Sequence, residues 1–108
     1  MEVQYRKRVE QVFARVEKAL RDVDPDLVEC EFSQGTLTLT FANKTRCILS
    51  TQPSVEQIWL ALASRGTAYH FSYDPNQQGW WDDKGKGVEI ISFLSQYLKE
   101  MTGLSVNL

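Results

Sequence analysis

The hydrophobic period of this chain changes twice, and those changes limit what it can fold into. Val9, Val12, Phe13, Val16, Leu20 and Val23 recur at helical spacing and form one stripe. Arg6, Lys7, Arg15, Lys18 and Arg21 lie off that stripe. The pattern predicts a helix over residues 2–22. It stops at Asp24-Pro25, because proline disfavours a helical residue before it. From Leu27 the period is two. Val28, Cys30 and Phe32 face one way and Glu29 and Glu31 the other. Thr36 to Phe41 alternates cleanly, with Leu37, Leu39 and Phe41 inward and Thr36, Thr38 and Thr40 outward. Residues 45–50, 57–62, 69–73 and 80–82 read as further strands, separated by turn residues such as Ser33-Gln34-Gly35, Asn43-Lys44 and Ser64-Arg65-Gly66. Near Val88 the helical period returns. Val88, Ile91, Leu94, Leu98 and Met101 make a stripe with Ile90 and Tyr97 beside it, and Gly103 is the expected stop.

A helix, about six short-looped strands and a second helix predict an antiparallel meander. Both amphipathic helices need an apolar surface. The simplest solution packs them on one face of the sheet, giving an α+β two-layer sandwich whose other face meets water. The 108 residues suffice for one domain, 1–108, with a single core. The short alternating tail, residues 104–108, is expected to pack back over the core.

Composition narrows the function. Hydrophobic residues are 43% and charged residues 24% of the chain, a soluble globular balance, and no apolar run reaches membrane-spanning length. A formal charge of -2 argues against nucleic acid. The N-terminus carries charge but no apolar leader core, which predicts a cytoplasmic protein or one whose leader has been removed. Cys30 and Cys47 fall on strands flanking a common neighbour, about 9–10 Å apart, too far to bridge. Reduced thiols are expected. The single histidine, His70, sits on a strand between two aromatics and reads as structural. No nucleophile elbow or phosphate loop occurs, so no enzyme is predicted.

Two features remain. Asp22, Asp24, Asp26, Glu29 and Glu31 crowd the end of the first helix, the turn and the first strand, uninterrupted by Lys or Arg. Most such runs are solvated patches. Oxygen ligands without soft partners also suit hard cations, and the same patch suits a basic protein surface. The second feature is Gln57-Ile58-Trp59-Leu60-Ala61-Leu62. Ile58, Leu60 and Leu62 claim the buried face, which leaves Trp59 on the face expected to meet water. It is either part of a second small core or a docking residue.

The chain resembles the frataxin family, most closely its bacterial members. The resemblance rests on Glu29-Cys30-Glu31 with Gly35-Thr36-Leu37-Thr38-Leu39-Thr40-Phe41, then Gln57-Ile58-Trp59-Leu60, then Tyr69-His70-Phe71, in that order along nearly the whole chain. It implies a role in iron-sulfur cluster assembly. It implies weak binding of Fe2+ and Fe3+, with other hard divalent cations as substitutes, along an acidic ridge that falls here on Asp22, Asp24, Asp26, Glu29 and Glu31. It further implies docking on the cysteine desulfurase and the scaffold protein, without nucleic acid or membrane, by a chain that is a monomer when no iron is present. The docking residues carried over are Trp59 and Gln52, to which Gln57, Thr38 and Thr40 are added from the face expected to meet water. The family's Asn-basic-Gln segment falls on Ser50-Thr51-Gln52, where only the glutamine remains. Arg15, Lys18 and Arg21 dilute the helical part of the ridge, so fewer iron sites are expected. The other readings are a desulfurase regulator that never carries iron and, least favoured, a ferroxidase.

Overall fold

The computed structural model describes the backbone of residues 2–108 and the side chains of residues 3–108. Met1, which the single-domain reading includes, lies outside the described residues. Helix α1 (Glu2–Leu20) leads into strands β1 (Val28–Ser33), β2 (Thr36–Phe41), β3 (Arg46–Gln52), β4 (Gln57–Leu62), β5 (Thr67–Asp74) and β6 (Gly79–Asp82), and helix α2 (Ile90–Thr102) closes the order. The strands form one antiparallel sheet in chain order, each beside its sequence neighbours. No helix among the described residues is long and apolar enough to cross a membrane.

Turn chemistry fixes the register. The β1–β2 loop is Gln34-Gly35, and both residues have positive φ, 51° and 77°. A two-residue loop of this kind follows the twist of the strands it joins. Gly35 has a second reason to lack a side chain: a Cβ there would lie 2.7 Å from Thr51 Oγ1. Beyond β3, the 3₁₀ turn Pro53–Val55 and Glu56, at φ 51°, reverse the chain into β4.

Strand parity then sets the core. Leu37, Leu39, Leu49, Ile58, Leu60 and Phe71 are completely buried on the helix side of the sheet. Val9, Val12, Phe13, Val16 and Leu20 of α1 cover them, as their spacing predicts. One residue of that stripe escaped the periodicity. Tyr5 is buried, and its hydroxyl donates to the Gln57 carbonyl at 2.6 Å and accepts from the Gln52 N–H at 3.0 Å. It ties the end of β3 to the start of β4. Burial pushes its pKa up, against the Gln52 N–H, which favours the phenolate; the charge of Glu56 adds a smaller upward push.

Two expectations change. The buried centre of α2 is Ile90, Leu94, Tyr97 and Leu98, with Ile91 and Met101 only half-buried beside it. Glu89 decides this. Its carboxylate accepts from the N–H groups of Ile91 and Ser92, so the helix starts at Ile90 and Val88 stays outside. Phe32 is on the helix side, as its parity requires, yet is 52% exposed. It is the last but one residue of an edge strand and is only partly covered by α1, its ring meeting that of Phe13 in a T-shaped contact, 5.9 Å between centroids. Gly103, at φ 77°, stops α2 as expected. In the tail, Val106 and Leu108 pack against the core, and the Leu108 carbonyl accepts from Arg15 Nη2 at 2.7 Å.

Candidate functional site

The α1–β1 corner is built by its own acids. The Asp24 carbonyl accepts from the N–H groups of Leu27 and Val28, at 2.9 and 3.3 Å, and Asp24 Oδ1 accepts from the Asp26 N–H at 2.9 Å. This is an Asx turn, with Pro25 as its rigid corner. It leaves Asp22, Asp24 and Asp26 exposed. Glu29 and Glu31 follow on the water-facing side of β1, paired with Thr40 and Thr38 of β2. The ridge is therefore continuous along one edge of the sheet. Its carboxylates are spread along the edge: among the described residues no group of three or more His, Cys, Asp or Glu is close enough to hold a metal ion.

The structure adds members to this edge. A groove of about 460 Å³ between α1 and β1 is lined by Glu17, Arg21, Glu29 and Cys30, among others. Glu17 lies close enough that its charge, after burial, helps push the Cys30 thiol up to about 11. Its place beside β1 follows from the four-residue step from Phe13, which touches Phe32. Arg21 brings a positive charge to the same groove, in keeping with the diluted helical ridge. The two thiols are unbridged, since Leu39 stands between them as the register partner of both Cys30 and Cys47. Burial holds the Cys47 thiol at about 12.

On the open face, Trp59 sits where its parity placed it, 36% exposed, while Ile58, Leu60 and Leu62 are buried behind it. Its indole is held on two sides. It stacks on His70, its register partner on β5, with ring centroids 4.2 Å apart. Its Nε1 donates to Gln57 Oε1 at 2.9 Å. Gln57 is the hub: its Nε2 donates to Ser72 Oγ at 3.1 Å and to Asp83 Oδ2 at 2.9 Å. Asp83 in turn donates its backbone N–H to the His70 carbonyl at 2.9 Å. Gln52, paired with Gln57, lies on the same face, as do Thr38 and Thr40 two strands away, all half-buried.

Sequence reading placed Gln57 and Trp59 on this face and missed His70, Ser72 and Asp83 as their partners. The signal was the length of the β4–β5 turn. Four residues between Leu62 and Thr67 set Trp59 opposite His70.

The Frataxin-like domain family matches residues 1–104. Proteins named iron-sulfur cluster assembly protein CyaY align with nearly all of the chain. That of Paraburkholderia phymatum is 38% identical over 97% of this chain and 94% of its own length. That of Paraburkholderia phytofirmans is 36% identical over 96% and 93%. Among solved structures, frataxin from Psychromonas ingrahamii superposes with a TM-score of 0.85 at 24% identity, covering 98% of this chain and 95% of that one. A trimeric frataxin from Saccharomyces cerevisiae, complexed with ferrous, superposes with a TM-score of 0.66 at 20% identity, covering 95% and 86%.

Proposed function

We propose, since this chain belongs to the frataxin family, that it is an accessory protein of iron-sulfur cluster assembly. It docks on the cysteine desulfurase and scaffold protein through Trp59, Gln52, Gln57, Thr38 and Thr40, and it modulates sulfur delivery. Fe2+ or Fe3+ is its cargo, weakly held along Asp22, Asp24, Asp26, Glu29 and Glu31. The observation that carries the docking role is Trp59, which is exposed on the open sheet face yet fixed by His70 and Gln57. A rigid aromatic already in place loses little conformational freedom on binding. The hard-oxygen edge suits a weakly held hard cation, because exposed and separated carboxylates impose no strict geometry. The reading gives the chain no chemistry of its own. Its thiols, held near 11 and 12, stay protonated and poorly nucleophilic at neutral pH.

The spread of the carboxylates along the ridge also favours a second reading, a desulfurase regulator with no physiological iron cargo. Titrating Fe2+ against the isolated protein, beside a pulldown of the cell's own desulfurase with and without iron, separates the two. Iron-enhanced capture supports the cargo reading. Capture indifferent to iron, by a protein that takes up none, supports the regulator. Failure to capture the desulfurase in either condition rejects the docking role.

A further inference from the structure

The two edges of this sheet are treated differently. The β6 edge is closed. Asp82 donates its N–H to the Val88 carbonyl at 2.9 Å, and Trp81 pairs with Glu89 in a single antiparallel bridge. At the other edge, no strand among the described residues lies outside β1.

Which backbone groups face outward follows from β2. Phe41 donates its N–H to the Thr45 carbonyl at 3.0 Å, so the odd residues of β2 turn toward β3 and the even ones toward β1. Their register partners on β1 are Glu29, Glu31 and Ser33, which complete that ladder. Cys30 and Phe32 therefore turn their N–H and C=O groups away from the sheet, where no strand among the described residues pairs with them.

The side chains of β1 itself sort by face, and Glu17 and Arg21 of the α1 side stand beside Cys30. Glu29 and Glu31 lie on the open face. On the helix face Cys30 is half-buried, and Phe32 is 52% exposed. Charges on an edge strand commonly serve only to prevent pairing. That role accounts for the glutamates and leaves unexplained a large aromatic exposed beside unpaired backbone. A second copy of this chain is a poor occupant, because pairing β1 with β1 gathers glutamates on one face. A cationic strand reverses that sign.

We infer that β1 accepts an added strand from a protein partner: an extended segment with Lys or Arg at alternate positions and apolar residues between them. The cationic side chains lie beside Glu29 and Glu31. The apolar ones lie on the helix side against Cys30 and Phe32. The outward groups of Cys30 and Phe32 supply the main-chain bonds. This goes beyond the assembly reading, because it requires neither iron nor a particular partner, and it is tested with peptide alone.

The probe is a synthetic peptide of about seven residues in which Lys and Val alternate, a length typical of single strands. Two controls accompany it: the same peptide N-methylated at the positions facing β1, and a Glu-Val counterpart. Amide exchange by NMR reads the site. The Lys-Val peptide is expected to bind and to slow exchange at Cys30 and Phe32, with N-methylation weakening it by about tenfold or more through lost main-chain bonds. Glu29→Lys with Glu31→Lys should transfer the preference to the Glu-Val peptide. Equal binding of the N-methylated peptide overturns the inference, as does binding that leaves the Cys30 and Phe32 amides unprotected, since each shows charge attraction without strand addition. No binding of the Lys-Val peptide overturns it as well.

Discussion

Trp59 and His70 stand opposite each other on adjacent strands and stack with their planes only 13° apart. The histidine is a platform for the indole and lies on a different face from the core. That separates two jobs a lone histidine could do. His70→Ala is expected to leave iron stoichiometry nearly unchanged, because imidazole plays no part in a carboxylate ridge. It should loosen Trp59, seen as a changed near-UV signal and a several-fold weaker partner. Loss of most iron binding in a folded His70→Ala protein would contradict the all-oxygen ridge.

Gln57 holds the other side of the indole and reaches Asp83 through the same amide. Gln57→Leu removes these bonds and the one to Ser72 Oγ, and leaves the indole N–H without its partner. Its stability cost should be small, about 1 kcal/mol, since the site is only half-buried. Its binding cost should be larger than that of Thr38→Ala, which touches neither ring. Calorimetry of both variants against the desulfurase–scaffold complex checks the order.

At the acidic corner, Asp22, Asp24, Asp26, Glu29 and Glu31 set like charges along one edge, so neutralising one of them lowers their mutual repulsion. Glu31→Gln should leave stability unchanged or raise it by ~0.5–1 kcal/mol. Asp24→Asn should behave the same way, because an asparagine oxygen can still accept from Asp26. Asp24→Ala cannot, and should be less stable than Asp24→Asn. A hard cation at a hundred times its dissociation constant should add about 2.7 kcal/mol by linkage. If neutralising Asp22, Asp26 and Glu31 together left the cation's effect on Tm intact, the ridge would not be the site.

The buried thiols predict the alkaline behaviour. Folding raises the Cys47 pKa from 9.0 to about 12 and that of Cys30 from 9.0 to about 11. The unfolded chain therefore loses these protons first. The stability from burying neutral thiols is complete below about pH 9 and declines as pH rises from there toward 12. Cys47→Ala should be less stable at pH 7 because of the cavity, and its stability should fall less steeply between pH 9 and 11. Parallel curves for parent and variant would show that Cys47 does not titrate as described.

Much of this was legible from spacing. The alternation of Leu37, Leu39 and Phe41 with the threonines fixes the faces of β2, and Ile58, Leu60 and Leu62 fix those of β4, because strand parity is local. What parity cannot give is coverage. Phe32 has the inward phase but is only partly covered by α1, and Tyr5 has a polar hydroxyl that hides its place in the core. The centre of α2 was displaced because apolar residues flank it on both sides and only the Glu89 cap fixes its start. The ridge acids were visible as a run, whereas Glu17 enters through packing of α1 on β1. The His70–Trp59 stack depends on register across a four-residue turn, which neither strand reveals alone.

The central claim is that Trp59 is a docking residue fixed on the open face of the sheet. Trp59→Ala, measured for both unfolding and affinity toward the desulfurase–scaffold complex, tests it most directly. A hot-spot tryptophan typically contributes ~2–4 kcal/mol of binding, so affinity should fall by about thirtyfold or more. The unfolding midpoint should move only modestly, well short of the ~3–5 kcal/mol that loss of a core tryptophan costs. A variant that unfolds, or one that binds the complex as tightly as the parent, would contradict the claim.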